Sequence, residues 1–345
     1  MSLVCAIGPP PLSVRTTDNS GRSGGARQGL SGLSRACGDG YNRARPQGGL
    51  GCPPFCLLQR GRASAMAPAQ RSVQANGLRL SYLDWGGEGP AIVLHHATSL
   101  HAWVWDPIAR RLARCGRVLA YDARGHGDSD KPPSGYGWDR FVEDLASFIS
   151  ALELAPARLV GHSSGGTVAL ACAALYPRLV DRVVALDPVL MLPEQTNDPA
   201  WQEWFRRWQE STRRRRNAWR SLDEAVEHLR GKDSYRHWRE DVLRLYVERG
   251  TIRGPDGLLR LKMPGELEAQ AYEGRAALDI WSLLPSVSCP VLILHCRRDD
   301  PRPEMGIRAA AGLLPQARVE AVPGTHFFPQ EDPEAVAAAI GPFLR

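Results

Sequence analysis

Long hydrophobic runs are missing from this sequence. The longest clearly apolar stretch, residues 168–176, is far shorter than the roughly 20 apolar residues that a membrane-spanning helix needs, so we expect no membrane span. Collagen-like and coiled-coil repeats are missing too. The 345 residues are 43% hydrophobic, which is enough to fill a core, so a wholly disordered chain is excluded as well.

Most of the chain also lacks net charge. Residues 1–65 contain eight arginines against two acidic residues, and this excess of six equals the +6 of the whole chain. Residues 66–345 therefore contain as many acidic as basic residues. Because nucleic-acid binding needs a broad basic surface, we expect no nucleic-acid partner.

The first 65 residues are expected to form a disordered leader. They are rich in glycine, serine, proline and arginine and show no helical or strand periodicity, a composition typical of disorder. An arginine- and serine-rich segment with few acids resembles an organelle transit peptide. Alternatively, the reading frame is drawn too long and the protein starts at Met66. A secretory signal fits less well, because no adequate apolar stretch precedes the cleavage-like residues 63–65.

The cysteines form neither a disulfide framework nor a zinc pattern. Cys52 and Cys56 have a spacing that metals use, but no second pair with suitable histidines follows. Four more cysteines are scattered through mostly apolar surroundings, namely Cys115, Cys172, Cys289 and Cys296. We expect buried, reduced thiols in a cytoplasmic protein, with no metal and no other cofactor.

From residue 78 onward, strand and helix patterns alternate. Short apolar or alternating runs predict strands at Leu78–Trp85, Ala91–His95, Arg117–Asp122, Arg158–Val160, Arg182–Leu186, Val291–His295 and Arg318–Val322. Helical periodicity predicts helices at Trp103–Cys115, Phe141–Leu152, Thr167–Tyr176, Met305–Leu314 and Pro333–Phe343. This alternation favours an α/β fold, in which helices flank a mostly parallel central sheet.

One long segment interrupts the alternation. Residues 193–284 show no convincing strand and are rich in tryptophan and arginine, so we expect a helical cap inserted into a core of residues 66–192 and 285–345. Trp201, Trp204 and Trp208 fall on one helical face, where they either pack the cap onto the core or form an aromatic wall over a substrate pocket. Residues 213–216 are four arginines among many acids, which favours a solvated helix face.

The strongest chemical signal is the sequence Gly161-His162-Ser163-Ser164-Gly165-Gly166. It matches the G-x-S-x-G pattern, with a predicted strand before it and a predicted helix after it. A serine on such a sharp turn projects its hydroxyl above the sheet. Larger side chains at the positions two residues before and two residues after it would collide within the turn. Gly161 and Gly165 are therefore required, and Ser163 is a candidate nucleophile.

A serine nucleophile needs a base and an orienting acid. His326 follows the last predicted strand and Asp299 follows the strand before it. The order Ser163, Asp299, His326 is the order expected for a G-x-S-x-G hydrolase.

These motifs together resemble those of the α/β-hydrolase-fold superfamily from about residue 73 to the end of the chain. His96 and residues 105–107 resemble its oxyanion-loop segment, and residues 121–129 resemble its D-x-R-G-x-G-x-S segment. The resemblance implies that Ser163 is the nucleophile, His326 the base and then the acid, and Asp299 the orienting acid. Asp300, one residue further along, is an alternative for the orienting acid. Asp187, which follows an earlier predicted strand, is another.

The resemblance also implies an oxyanion hole made of two backbone N–H groups. One belongs to Ser164, and the other comes from the loop after His96, at Thr98. The family commonly has His-Gly in this loop, whereas this sequence has His96-Ala97 at the matching position. If the match is shifted by one residue, His95 takes the place of the family's histidine. Ala97 lets the backbone approach a substrate less freely than glycine would.

Other polar residues near these motifs have two interpretations. His96, His162 and Trp105 are candidate pocket residues, but the histidines could equally tune loop geometry and the tryptophan could pack in the core. Asp122 and His126 lie in a motif that mainly fixes a loop, so structural hydrogen bonds are expected of them.

The sequence thus predicts a serine hydrolase that cleaves a carboxylic ester or lactone of a small molecule through an acyl-enzyme. A carbon–carbon bond hydrolase and a ligand-binding protein on the same scaffold are the alternatives. Epoxide hydrolases and haloalkane dehalogenases of this fold usually carry an aspartate nucleophile, and Ser163 argues against both. No feature of the sequence indicates an oligomeric state.

Overall fold

Short apolar runs become the buried strands of a central sheet in the computed structural model, which describes residues 67–345. All five residues of Ala91–His95 are buried, as predicted for a strand covered on both faces. Ile92 and Leu94 pack into the core on one face, and Val93 packs into the core on the other. The predicted leader, with Cys52 and Cys56, lies outside the described residues.

The main sheet has eight strands in the order β1-β2-β4-β3-β5-β6-β10-β11. Its strands are β1 (Ala69–Ala75), β2 (Leu78–Gly86), β3 (Ala91–His95), β4 (Arg117–Tyr121), β5 (Ala157–His162), β6 (Val180–Leu186), β10 (Val291–Cys296) and β11 (Ala317–Val322). The pairs β1–β2 and β2–β4 are antiparallel, and all other neighbours are parallel. The carboxyl ends of β3, β5, β6, β10 and β11 therefore meet at one edge of the sheet.

Helices cover both faces of the sheet, which confirms the predicted α/β fold with a mostly parallel sheet. The helices outside the long insertion are α1 (Asp106–Leu112), α2 (Trp138–Ala151), α3 (Ser164–Leu175), α10 (Arg302–Leu313), α11 (Phe328–Glu331) and α12 (Pro333–Ile340). Within residues 67–345, no helix is long and apolar enough to cross a membrane.

The segment between β6 and β10 is mostly helical. Its helices are α4 (Pro193–Thr196), α5 (Pro199–Arg213), α6 (Leu222–Arg230), α7 (Glu240–Gly250), α8 (Gly265–Glu273) and α9 (Ile280–Leu283). The expectation that it has no strand is wrong. Strands β7 (Ala218–Trp219), β8 (Thr251–Arg253) and β9 (Leu259–Leu261) form a small antiparallel sheet. They have two or three residues each, which is too short for a period-two pattern to show in the sequence.

Candidate active site

The turn from β5 into α3 holds Ser163 in a strained backbone conformation. Its φ is 57° and its ψ is −119°, in the left-handed half of the map that side chains rarely adopt. A Cβ added to Gly161 would overlap the carbonyl of Gly165, and one added to Gly165 would overlap the carbonyl of His95. The two glycines are thus required for the steric reason inferred from the sequence.

Ser163, His326 and Asp187 form a continuous chain of hydrogen bonds. His326 lies on the loop after β11, with its Nε2 2.9 Å from Ser163 Oγ. Its Nδ1 lies 2.5 Å from Asp187 Oδ2. All three side chains are buried. Because a carboxylate only accepts, Nδ1 carries the proton and Nε2 is free to accept one from Ser163.

The prediction that Asp299 is the acid beside His326 is wrong, and so is the register alternative Asp300. Asp299 is exposed on the loop after β10, and Asp300 is paired with Arg302 at 2.8 Å. Asp187, the weakest of the three candidates from the sequence, directly follows β6, the strand next to β5.

Chain order could not separate these candidates, because Asp187 and Asp299 both lie between Ser163 and His326. The useful signal was the position of Asp187 directly after the apolar residues 183–186, which end β6, the strand that the structure places beside the nucleophile's strand. Sequence alone does not give that strand order.

Arg298, a residue that sequence reasoning missed, lies against the Asp187–His326 pair. Its guanidinium is paired with Asp187 Oδ2 and lies 3.1 Å from His326 Nδ1. Burial, and secondly this positive charge, hold the pKa of His326 well below its ordinary value of 6.5. His326 is therefore neutral at neutral pH, which is the form that can accept a proton.

His162 and His96 hold loops and do not line the cavity above Ser163, so their placement as pocket residues is wrong. His162 donates its Nε2–H to the backbone carbonyl of His326 at 2.8 Å. His96 donates from Nδ1 to Ala97 O at 2.8 Å and accepts at Nε2 from Ala123 N–H at 3.0 Å. Both rings are buried, and their hydrogen bonds fix the loops of His326 and Ala97.

Trp105 is likewise not a pocket residue. It is fully buried and belongs to the core cluster beneath the sheet.

Asp122 and His126, the residues expected to fix a loop, do so. Asp122 accepts from the backbone N–H groups of Ala102 at 2.7 Å and Asp128 at 2.8 Å. His126 accepts at Nε2 from the N–H of Ser99 at 3.2 Å.

Ser164 and Thr98 lie side by side where the turn leads into α3. The backbone N–H of Thr98 donates to Ser164 Oγ at 2.9 Å, and the Thr98 hydroxyl also donates to it at 3.0 Å. Ser164 is the first residue of α3, so its own N–H has no acceptor within the helix. Two backbone donors thus lie next to Ser163, one unused by the helix and one held by a neighbouring hydroxyl.

A cavity of about 710 Å³, its open mouth included, lies above Ser163 and His326. Ser164, Thr98 and Ala97 line it from the core, and Trp201, Trp204 and Trp208 line it from α5. The tryptophan rings are in contact with one another and with Tyr272. Of the two interpretations of these tryptophans, the aromatic wall agrees with their positions.

The arginine run at the end of α5 is matched by acidic residues. Arg213 pairs with Glu266 and Glu273, as expected of a solvated face. Arg215 differs, because it is largely buried and pairs with the buried Glu268 at 2.6 Å. Its neighbourhood therefore belongs to the interior of the insertion.

The family follows from the comparison with known proteins. A family model described as the alpha/beta hydrolase family matches residues 92–339, more than half of the chain. The chain belongs to the alpha/beta hydrolase family. The match spans the turn with Ser163 as well as the loops with Asp187 and His326.

Two relatives and one crystal structure agree with this membership of the alpha/beta hydrolase family. The chain is 31% identical over 263 residues to a 2-(acetamidomethylene)succinate hydrolase of Mesorhizobium japonicum, covering 75% of this chain and 89% of the relative. It is 28% identical over 278 residues to an N-formylmaleamate deformylase of Pseudomonas putida, covering 79% and 95%. The crystal structure of an E-2-(acetamidomethylene)succinate hydrolase superposes with a TM-score of 0.71 at 28% identity, covering 80% and 99%. These relatives support hydrolase activity for this chain.

Proposed function

We propose that this protein is a serine hydrolase that cleaves a carboxylic ester or lactone through an acyl-enzyme. Ser163 is the nucleophile, His326 the general base and then the general acid, and Asp187 the orienting acid. The observation that carries the proposal is the unbroken chain from Ser163 Oγ through both ring nitrogens of His326 to Asp187, under an otherwise largely apolar cavity.

The proposed reaction begins when Ser163 Oγ attacks the substrate carbonyl carbon while His326 Nε2 takes the hydroxyl proton. The carbonyl electron pair moves onto oxygen, and Asp187 stabilises the imidazolium that forms. When the tetrahedral intermediate collapses, the bond to the leaving group breaks and His326 protonates that group. Water, activated by the same histidine, then releases the acid from Ser163.

The backbone N–H groups of Ser164 and Thr98 are the proposed oxyanion donors. The N–H of Thr98 donates to Ser164 Oγ, so it must exchange that acceptor for the substrate oxygen. Two such donors aimed at the developing charge stabilise the transition state more than the ground state.

We further propose that the insertion between β6 and β10 acts as a cap that selects the substrate. It contributes Trp201, Trp204 and Trp208 to the wall of the cavity, whereas Ser163 and His326 come from the core. Such a division lets the cap vary the substrate while the reacting groups stay the same.

An N-acyl bond is the second candidate for the scissile bond. The relative named N-formylmaleamate deformylase acts, by its name, on a formyl group attached to nitrogen. The same nucleophile, base and oxyanion donors serve an ester and an N-acyl group, so only substrate tests separate the two.

The test is turnover of a panel of 4-nitrophenyl esters, lactones and N-acyl compounds by the full chain. We expect ester or lactone hydrolysis by the wild type and a loss of at least about 10³-fold in kcat for Ser163→Ala. Ser150→Ala is the matched control, because its hydroxyl bonds only within α2, and it should retain wild-type activity. Equal turnover by the wild type and Ser163→Ala would refute the role of Ser163. A folded wild type that turns over nothing on the panel would favour a carbon–carbon bond hydrolase or a ligand-binding protein instead.

A further inference from the structure

One guanidinium in the cavity has no acidic partner among residues 67–345. Arg275 lies in the short 3-10 helix Gly274–Ala277 and lines the cavity together with Ser163 and His326. Among the residues of 67–345 that line this cavity, none is acidic, and His326 is neutral, so Arg275 carries the only formal charge. Its Nε is fully buried and has no hydrogen-bond acceptor within this part of the chain.

Other buried arginines of this chain are paired. Arg124 makes two 2.6 Å hydrogen bonds to Asp144, and Arg215 pairs with Glu268 at 2.6 Å. Arg275 has no such compensation, and burial lowers its pKa. Arg275 is partly buried, and a charge that is removed from water without a partner is costly, so a ligand that supplies the missing negative charge would stabilise it.

Aromatic rings support the guanidinium without using its N–H groups. The centre of the Arg275 guanidinium lies 4.9 Å from the ring centroid of Trp201 and 5.7 Å from that of Phe205. Such contacts stabilise a cation but provide no hydrogen-bond acceptor. The rings therefore hold the group in place without occupying its N–H donors.

We propose that Arg275 binds a carboxylate of the substrate, so that the enzyme acts on anionic esters or lactones of carboxylic acids. This inference rests on the proposed hydrolysis at Ser163, because the cavity that contains Arg275 is the one above that serine. The planar fork of a guanidinium matches a carboxylate with two parallel hydrogen bonds.

A carboxylate fits this cavity better than a phosphate does. The remaining walls are mostly apolar and aromatic, as Trp138, Val189, Met191 and Phe327 illustrate. One guanidinium balances the single charge of a carboxylate, whereas a phosphate dianion would leave a second charge uncompensated in an apolar surrounding.

The first test measures binding without turnover. Tryptophan fluorescence reports directly on the cavity, since Trp201, Trp204 and Trp208 line it, and the probes are hexanoate, hexanamide and pentylphosphonate. We expect the full-length wild type to bind hexanoate at least about tenfold more tightly than hexanamide. This ratio of affinities corresponds to the free energy of one charge-assisted hydrogen bond. Arg275→Met should lose this preference, and Arg275→Lys should keep part of it.

The second test measures turnover with matched ester pairs. One pair is the 4-nitrophenyl monoester of adipic acid and its methyl ester, which places the carboxylate on the acyl side. The other pair is 4-acetoxybenzoate and its methyl ester, which places the carboxylate on the leaving group. We expect kcat/KM to favour the anionic member of at least one pair by about tenfold or more. Arg275→Met should bring that ratio near one.

Arg249→Met is the matched control. The Arg249 guanidinium also lies over a tryptophan, 4.4 Å from the ring centroid of Trp103, but neither residue lines the cavity. This variant should keep both preferences for the anion.

The proposal is overturned if hexanoate and hexanamide bind equally, if Arg275→Met keeps the preference for the anion, or if pentylphosphonate binds more tightly than hexanoate. Turnover of neutral and anionic esters at equal rates would also refute it while leaving the role of Ser163 intact. If no ester reacts, the hydrolase proposal fails, and the fluorescence titration still decides whether Arg275 binds a carboxylate.

Discussion

Replacing Asp187 by asparagine tests the part of the site that the sequence misplaced. Asp187 is 2% exposed, and its Oδ2 accepts from His326 Nδ1 at 2.5 Å while pairing with Arg298. An asparagine there removes the negative charge that stabilises the imidazolium of His326 when it takes the proton of Ser163. Where its NH₂ group faces the imidazole, Nδ1 must in addition accept, which places the ring proton on Nε2, the atom that must take the proton of Ser163.

The size of the effect follows from the loss of the orienting carboxylate. In a serine protease, the equivalent loss of the orienting carboxylate lowers kcat by about 10⁴-fold while the geometry stays intact. For Asp187→Asn we expect a loss of about 10³–10⁴-fold, which corresponds to about 4–5.5 kcal/mol of activation free energy. The control is Asp299→Asn, which alters an exposed carboxylate and should leave kcat within threefold of the wild type.

The assay is kcat and KM on a 4-nitrophenyl ester, with far- and near-ultraviolet circular dichroism to show that each variant is folded. Near-wild-type turnover by folded Asp187→Asn would refute the assignment. A large loss in Asp299→Asn with Asp187→Asn unaffected would restore the acid that the sequence suggested.

Two further predictions concern the surroundings of these groups. Since burial and the charge of Arg298 hold the pKa of His326 well below 6.5, and the neutral imidazole is the active form, the acid limb of kcat/KM should lie below pH 6.5 in the wild type. It should move to higher pH in Arg298→Met, and an unchanged or lowered limb would contradict this. Gly161→Ala should abolish activity and lower the free energy of unfolding by about 1–3 kcal/mol, as overpacking does. Gly312→Ala, where an added Cβ meets nothing within 4 Å, should cost no stability by the same chemical denaturation, and equal stability of the two variants would contradict the steric argument.

Local sequence signals were enough to predict seven of the eight strands of the central sheet. Ala91–His95 was predicted with the bounds that the structure shows, because a short continuous apolar run between turn residues favours a strand that is buried on both faces. The first strand, Ala69–Ala75, was missed, since six of its seven residues are exposed or half-buried and show no apolar pattern. The strands of the insertion were missed because two or three residues are too few to carry a period.

The reacting residues were predictable only where chemistry and local geometry coincide. Ser163 is marked by two glycines whose steric role can be read from the sequence, and His326 by its position after the last strand. Asp187 could not be distinguished from Asp299 because the choice depends on which strand lies beside β5, a property of the sheet as a whole. Arg275 carries no sequence signal, since its importance comes from the absence of an acidic neighbour in space.

The most direct test of the central claim is covalent labelling of the full chain with a fluorophosphonate, followed by peptide mass spectrometry. Such a probe reacts with a serine whose hydroxyl is activated by a neighbouring base. We expect modification at Ser163 in the wild type and little or none in His326→Ala. Labelling at another serine, or equal labelling of Ser163 in the wild type and His326→Ala, would contradict the account.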